Sequence, residues 1–169
     1  MDLEGPVLYQ AERHDVSEFD CSSEAQSRWL RQIARTAQAA GTARVYVVTP
    51  PDTSRVVGYH AVAAASVAHD DAPPALRKAA GRSPIPVILL ARLGVDVTVQ
   101  RQGLGAALVK DAMLRAYGAS ETIGARALLI HAESERARDF YLHLAEFDAS
   151  PTDPLHLVLL MSEIERIVG

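Results

Sequence analysis

A glycine-rich turn, Gln100–Gly105 (QRQGLG), carries the clearest chemical signal in the chain. It follows an apolar run, Ile85–Val95, and leads directly into a helical pattern. Glycine lets the backbone approach a ligand closely, and the first N–H groups of a helix have no partner within the helix. A helix start therefore attracts anions, with the dipole adding about 0.3–1 kcal/mol per nearby charge. The turn predicts a pyrophosphate site, although tight strand-to-helix turns also use glycine for structural reasons alone.

Other reactive residues give weaker signals. A dinucleotide fingerprint needs a third glycine where Leu108 stands, and a P-loop lysine motif does not occur. The six histidines lack metal-ligand spacing, so we expect no metal. The single cysteine, Cys21, excludes an internal disulfide and predicts a small buried side chain. No buried base stands out, because Glu133, Asp96 and Asp139 are ordinary surface candidates.

Alternating strands and helices must position the turn. A capping-box pair, Ser23 and Gln26, predicts a first helix that ends at Gly41. Its apolar stripe comprises Leu30, Ile33, Ala34 and Ala37. The patterns further predict an edge strand at 6–12, a hairpin of strands 44–49 and 55–67, a central strand at 85–95, a helix at 106–117, a strand at 125–131, a helix at 135–144, a strand at 155–161 and a helix at 162–168. This order indicates one α/β domain over residues 1–169.

Composition narrows the function classes. Hydrophobic residues are 49% and charged residues 22% of the chain, which excludes a disordered or collagen-like protein. No apolar stretch approaches the roughly 18 residues of a membrane helix, and a signal-peptide pattern is missing, so we expect a cytoplasmic protein without membrane contact. The net charge of −4 argues against a basic coat for nucleic acid. Yet all 17 basic residues except Lys78 and Lys110 are arginines, which suits a local phosphate-binding face or a genome-wide codon bias.

The turn and its surroundings resemble the GNAT acyltransferases. Gln100–Gly105 matches the acetyl-CoA pyrophosphate loop of that family, Q/R-x-x-G-x-G/A. Residues 131–147 are similar to the family's A-x-x-F-Y-x-x-x-G-F ending, with Ala145 where glycine is usual. The resemblance covers nearly the whole chain. It implies the GNAT acyl-CoA N-acyltransferase fold, a central mixed sheet flanked by helices, with acetyl-CoA as cosubstrate.

The resemblance also implies roles for particular residues. Tyr141 would lie near the CoA sulfur and protonate the departing thiolate, although its place on an apolar stripe also suits a core residue. Backbone groups of the strand before the loop would bind the pantetheine arm. The implied cofactor-binding residues are Leu93, Val95, Gln100, Arg101, Gln102, Gly103, Leu104, Gly105, Ala106 and Phe140.

Five further matches resemble the GNAT toxins of bacterial toxin–antitoxin modules. They are F-x-C with W-L at 19–30, G-x-A-R-x-Y-V at 41–47, VVGYHAVA at 56–63, the segment 86–96 ending in RLGVD, and A-R-x-F-Y at 137–141. That group acetylates the amino group of the amino acid on charged tRNA, which blocks translation. The resemblance implies a homodimer that is neutralised by a ribbon–helix–helix antitoxin and contacts DNA only through that antitoxin.

The chemistry of the acceptor favours an α-amine. An α-amino group with a pKa of about 7.7–8.0 is about a tenth neutral at pH 7, whereas a lysine is neutral to well under about one part in a thousand. A protein without an obvious base therefore suits an aminoacyl acceptor. A tRNA acceptor also predicts arginines along the cleft. The candidate tRNA contacts are Arg28, Arg31, Arg35, Arg77, Lys78, Arg82 and Arg92.

Two other functions stay open. The chain could acetylate a small-molecule amine, such as a polyamine or an antibiotic, in which case the cleft should be acidic. It could instead be a CoA-binding antitoxin partner that acts mainly in operon autoregulation. The presence of Tyr141 speaks against an inert scaffold but is compatible with a dual role.

Overall fold

The computed structural model describes residues 2–78 and 80–169, and the chain divides into two compact units. Unit 1 runs to Ala63 and resumes over Ala91–Ala112, while unit 2 contains Ala64–Leu90 and Met113–Gly169. The strands are β1 (Glu4–Leu8), β2 (Arg44–Thr49), β3 (Gly58–Val67), β4 (Ile85–Val95), β5 (Ala127–His131), β6 (Asp148–Ala149) and β7 (His156–Leu160). The helices are α1 (Glu24–Arg28), α2 (Ala34–Ala40), α3 (Pro74–Arg77), α4 (Leu104–Ser120), α5 (Glu135–Leu144) and α6 (Met161–Val168).

The strand order, β1-β2-β3-β4-β5-β7-β6, confirms a mixed α/β sheet with β4 in the middle position. A central strand is apolar because both of its faces are covered, which is how the run IPVILLARLGV predicted this position. β3 and β4 each run through both units.

In unit 1, β1, β2 and β3 form an antiparallel meander. β2 and β3 pair from Arg44 with Val62 to Val48 with Gly58, which confirms the hairpin. The regular strand begins at Gly58 rather than at residue 55, because Arg55 instead forms an isolated bridge to Asp15. Phe19, Trp29, Leu30 and Tyr59 are buried in one aromatic and aliphatic cluster of this unit.

The first helix contains a π-helical turn, Trp29–Ile33, between α1 and α2. Its start is as predicted, since the Ser23 side chain accepts a hydrogen bond from the Gln26 N–H, and it ends at Gly41 in the left-handed conformation. The predicted stripe is wrong at Ile33, whose side chain is 42% exposed. A π-helical turn contains more residues than an α-helical turn, so it shifts the phase of the buried face.

Unit 2 combines parallel and antiparallel pairing. β5 pairs with β4 in parallel, from Ile88 with Leu128 to Leu90 with Ile130, and with β7 in antiparallel register. The segment between α5 and β7, for which the sequence predicts no strand, includes the short strand β6, which pairs with β7. Val67, Leu76, Val87 and Leu129 belong to the buried cluster of this unit. Among the described residues, no helix combines the length and the apolar character needed to span a bilayer.

Candidate active site

The glycine-rich turn of unit 1 has two residues in the left-handed conformation just before α4. Arg101 has φ 63° and Gly103 has φ 85°. A non-glycine residue with this φ is uncommon and is often retained where a ligand requires the backbone shape. An ideal Cβ built on Gly103 meets no heavy atom within 4 Å, so the space beside the turn is open. α4 carries no acidic residue in its first turn, and its positive end is therefore not neutralised locally.

The side chain of Gln100, although exposed, fixes the turn by two hydrogen bonds. Its Nε2 donates to the Val95 carbonyl at 2.9 Å and to the Cys21 carbonyl at 3.2 Å. The amide of Gln100 thus ties the end of β4 to the start of the turn. The backbone of the turn, rather than this side chain, is left to meet an anion.

α4 is held against β3 by packing and by one buried polar pair. Leu104 and Leu108 pack beside Gly58, where a Cβ would lie 2.8 Å from the Leu104 Cδ2. His60 of β3 is fully buried, and its Nε2 lies 2.7 Å from the Asp111 Oδ2 on α4. Sequence reasoning missed Gly58, His60 and Asp111. The contacts depend on residues that are distant in sequence, so no local pattern indicates them.

Asp96, which follows β4, is a buried carboxylate, and the prediction that it lies on the surface is wrong. It is 1% exposed and accepts hydrogen bonds from the Asp20 N–H and from the N–H and hydroxyl of Thr98. Burial acts to raise the pKa of Asp96, but these hydrogen bonds, together with Arg55, outweigh burial and lower the pKa. Asp96 therefore stays charged and holds the 3₁₀ turn Val97–Val99 that leads to Gln100.

Tyr141 lies on α5 in unit 2 and is 8% exposed. Its ring packs edge-to-face against Phe140 at 5.2 Å and Phe147 at 6.5 Å between centroids. Burial, reinforced by the charge of Glu133, raises the pKa of Tyr141 to about 12. Within the described part of the chain, the hydroxyl has no hydrogen-bond partner. Tyr141 therefore stays protonated at neutral pH with a proton that is not engaged elsewhere.

The predicted site residues divide between the two units. Leu93, Val95 and the segment 100–106 lie in unit 1, whereas Phe140 and Tyr141 lie in unit 2. The side chain of Phe140 is 36% exposed. Its outward position leaves an aromatic face for a ligand.

The seven candidate tRNA contacts differ in how far the fold already engages them. Arg31 donates to the Phe19 carbonyl, and Arg77 donates to the Ala72 carbonyl at 2.8 Å. Arg92 lies over the ring of Trp29, 5.7 Å from its centroid. The side chains that remain exposed are Arg28 and Arg35 in unit 1, and Lys78 and Arg82 in unit 2.

The remaining reactive side chains in the part of the chain that the structure describes form no metal or nucleophile site. Among the described residues, no three His, Cys, Asp or Glu side chains converge as a metal site would require. Cys21 is half-buried rather than buried, and its Sγ lies 3.3 Å from the Ser27 Oγ. A serine hydroxyl is not a base that could activate a thiol.

Sequence comparison finds a curated relative over almost the whole chain. A tRNA-acetylating toxin of Mycobacterium tuberculosis (strain ATCC 25618 / H37Rv) is 43% identical over 155 residues, which cover 92% of this chain and 91% of the relative. No protein-family model matches the chain.

Solved structures of similar fold include complexes with an acetylated aminoacyl-tRNA, with an antitoxin and acetyl-CoA, and with DNA. AtaT complexed with acetyl-methionyl-tRNAfMet has a TM-score of 0.89 at 26% identity and covers 99% of this chain and 100% of that one. A tyrosine-to-phenylalanine mutant of AtaT, bound to the C-terminus of the antitoxin AtaR and acetyl-CoA, has a TM-score of 0.79 at 25% identity over 98% and 96% of the chains. The KacTA–DNA complex has a TM-score of 0.79 at 27% identity, with the same coverage.

Proposed function

The chain belongs to the GNAT-type tRNA-acetylating toxins, and we propose that it transfers the acetyl group of acetyl-CoA to the α-amino group of an aminoacyl-tRNA. The observation that carries this proposal is the turn before α4, where Arg101 and Gly103 are left-handed and a Cβ on Gly103 would meet no heavy atom within 4 Å. Acetyl-CoA supplies the activated acetyl thioester. The acetylated amine can no longer act as a nucleophile, so the product cannot continue peptide synthesis.

We assign the pyrophosphate of acetyl-CoA to the backbone of Arg101–Ala106. The first N–H groups of α4 have no partner within the helix, and the helix dipole favours an anion at this end. The Val95 carbonyl already accepts a hydrogen bond from Gln100. Among the predicted pantetheine contacts, the carbonyl of Leu93 is therefore the better acceptor for the arm. The pairing between β4 and β5 ends at Leu90, so Leu93 and Val95 lie beyond the part of β4 that pairs with β5.

We assign proton delivery to the Tyr141 hydroxyl, with Phe140 as an aromatic contact of the cosubstrate. The raised pKa, about 12, keeps the proton on the oxygen until a stronger base forms beside it. A thiolate developing in the buried surroundings of Tyr141 is such a base, because a poorly solvated anion gains most from a hydrogen-bond donor. A placed general acid contributes about 10²–10⁴ in rate.

The tRNA substrate requires cationic side chains in a protein whose net charge is −4. We propose that Arg28, Arg35, Lys78 and Arg82 contact phosphate groups, because these side chains are exposed. Arg31, Arg77 and Arg92 are engaged by the fold and contribute mainly by shaping the surface. This division refines the seven predicted contacts.

Neutralisation by an antitoxin follows from the family. We propose a ribbon–helix–helix antitoxin, a homodimeric toxin, DNA contact through the antitoxin alone and a cytoplasmic location. The AtaT–AtaR and KacTA–DNA complexes support the antitoxin and the DNA link in relatives. The single-domain organisation is part of the same proposal.

An acceptor assay tests the proposed function. Purified protein is incubated with labelled acetyl-CoA and total charged tRNA, with deacylated tRNA and a polyamine panel as matched acceptors. We expect label on charged tRNA, lost after mild alkaline release of the amino acid, and no label on deacylated tRNA. Preferential labelling of a polyamine would replace this function with small-molecule acetylation.

A further inference from the structure

A cavity in unit 2 contains two histidines that the proposed site does not use. The rings of His131, at the end of β5, and His156, at the start of β7, stack with centroids 3.9 Å apart. The cavity has a volume of about 210 Å³, which is about seven times the ~30 Å³ share of a liquid water molecule. It can hold a few small groups, such as an amine with its neighbouring atoms, but not a coenzyme.

The walls of this cavity are fixed by hydrogen bonds. The Ser150 hydroxyl donates to the Asp71 carbonyl at 2.7 Å, and the Thr152 hydroxyl donates to the Asp71 carboxylate at 2.7 Å. His156 Nε2 lies 3.3 Å from the Asp153 Oδ2. This pairing holds the His156 ring, which in turn fixes the ring of His131 by stacking.

The protonation of His131 suits a proton acceptor. Its partial burial and the neighbouring charge of His156 lower the pKa of His131, and Asp153 acts in the opposite direction. The charged or titratable groups around it are His156 of β7, Asp153 before β7, and Asp71 on the far wall of the cavity. His131 is therefore neutral at pH 7, which is the state that can take up a proton.

His131 is close in sequence to Glu133, whose charge acts on Tyr141. Glu133 follows His131 by two residues, so their Cα atoms are at most about 7 Å apart. The charge of Glu133 reaches the Tyr141 hydroxyl and contributes to its raised pKa. His131 of the cavity wall is thus two residues from the group whose charge acts on the Tyr141 hydroxyl.

We propose that the cavity receives the α-ammonium group of the acceptor and that a ring nitrogen of His131 takes its proton. This role rests on the proposed function. The ammonium gives one proton to His131, which holds it while the neutral nitrogen forms the C–N bond and the thioester C–S bond breaks, and which releases it to solvent afterwards. The sulfur takes the Tyr141 proton, and the second amine proton restores the Tyr141 hydroxyl.

The experiment compares His131→Gln with the unmodified enzyme from pH 6 to pH 9, using kcat/KM on charged tRNA. About a tenth of an α-amine is already neutral at pH 7 and nearly all of it at pH 9. We therefore expect His131→Gln to be about tenfold slower at pH 7 and less than about twofold slower at pH 9. His143→Gln, the same change at an exposed position on α5, should match the unmodified enzyme throughout.

A second variant reports on His131 without removing it. His156→Gln takes away the group that lowers the pKa of His131, so this pKa should rise and the acidic limb of the pH profile should move to higher pH. NMR titration of the His131 ring should show the same upward shift, independently of turnover.

Two outcomes overturn this role of His131. One is a His131→Gln profile that parallels the unmodified enzyme, at full or uniformly reduced rate. The other is an acidic limb and a ring titration that His156→Gln leaves in place. An unmodified enzyme that acetylates no charged tRNA at any pH refutes the proposed function itself, and this role with it.

Discussion

Replacing Tyr141 by phenylalanine isolates the proton that we assign to the leaving thiolate. The variant keeps the ring that packs against Phe140 and Phe147. Because no described residue hydrogen-bonds the hydroxyl, the free energy of unfolding should change by less than about 1 kcal/mol, the net contribution of one hydrogen bond. Loss of a positioned acid should lower turnover by about 10²–10⁴, which is about 3–5 kcal/mol in the activation barrier. The kinetic effect should therefore far exceed the structural one.

The assay combines single-turnover acetylation of charged tRNA with calorimetric acetyl-CoA binding and the melting temperature. We expect Tyr141→Phe to lose turnover while acetyl-CoA affinity and melting temperature hold. The control is Tyr117→Phe, which removes a hydroxyl bonded to Glu165 and should lower stability without lowering turnover. With a Tyr141 pKa of about 12, the unmodified enzyme should show no alkaline loss of acid catalysis below about pH 10. Near-normal turnover in Tyr141→Phe would refute the assignment and leave proton delivery to water.

Three further predictions follow from the geometry of the site. Gly103→Val places a β-branched residue at a left-handed position with open space beside it, and Gly81→Val is the matched control at a second such position, so both should lose about 1–2 kcal/mol of stability. Calorimetry should show at least about a tenfold loss of acetyl-CoA affinity in Gly103→Val alone. The double variant Arg28→Ala, Arg35→Ala should raise KM for charged tRNA and weaken its salt dependence while melting normally, and an unchanged KM would remove both from the interface. Since the pKa of Asp96 is lowered in the fold, its charge stabilises the fold above about pH 4, and this contribution is lost as the pH falls. Urea unfolding should show that Asp96→Asn is less stable than the unmodified protein at pH 7 and that this difference shrinks towards pH 3.5. A difference that stays constant with pH would contradict the charge argument.

Features that depend on neighbours along the chain were predictable from the sequence. β4 and α5 have the predicted bounds, because the apolar run and the helical stripe are local patterns that secondary structure must satisfy. Gly41 ends the first helix because glycine adopts the left-handed conformation without steric cost. The turn at Gln100–Gly105 was visible for the same reason, since its glycines precede a helical pattern directly.

The tertiary structure decided what the polar side chains do. Gln100 donates a hydrogen bond to the carbonyl of Cys21, 79 residues away, and so supports the turn. Asp96 is buried and bonded by residues from two other segments, Asp20 and Arg55, although its own neighbours in sequence suggest a surface position. His131 and His156 form one stacked pair only because β5 and β7 are adjacent in the sheet. The periodicity of a sequence indicates which face of a helix or strand is apolar. A hydrogen bond or a pKa depends instead on which distant groups the packing brings within a few ångströms, and only the tertiary structure decides that.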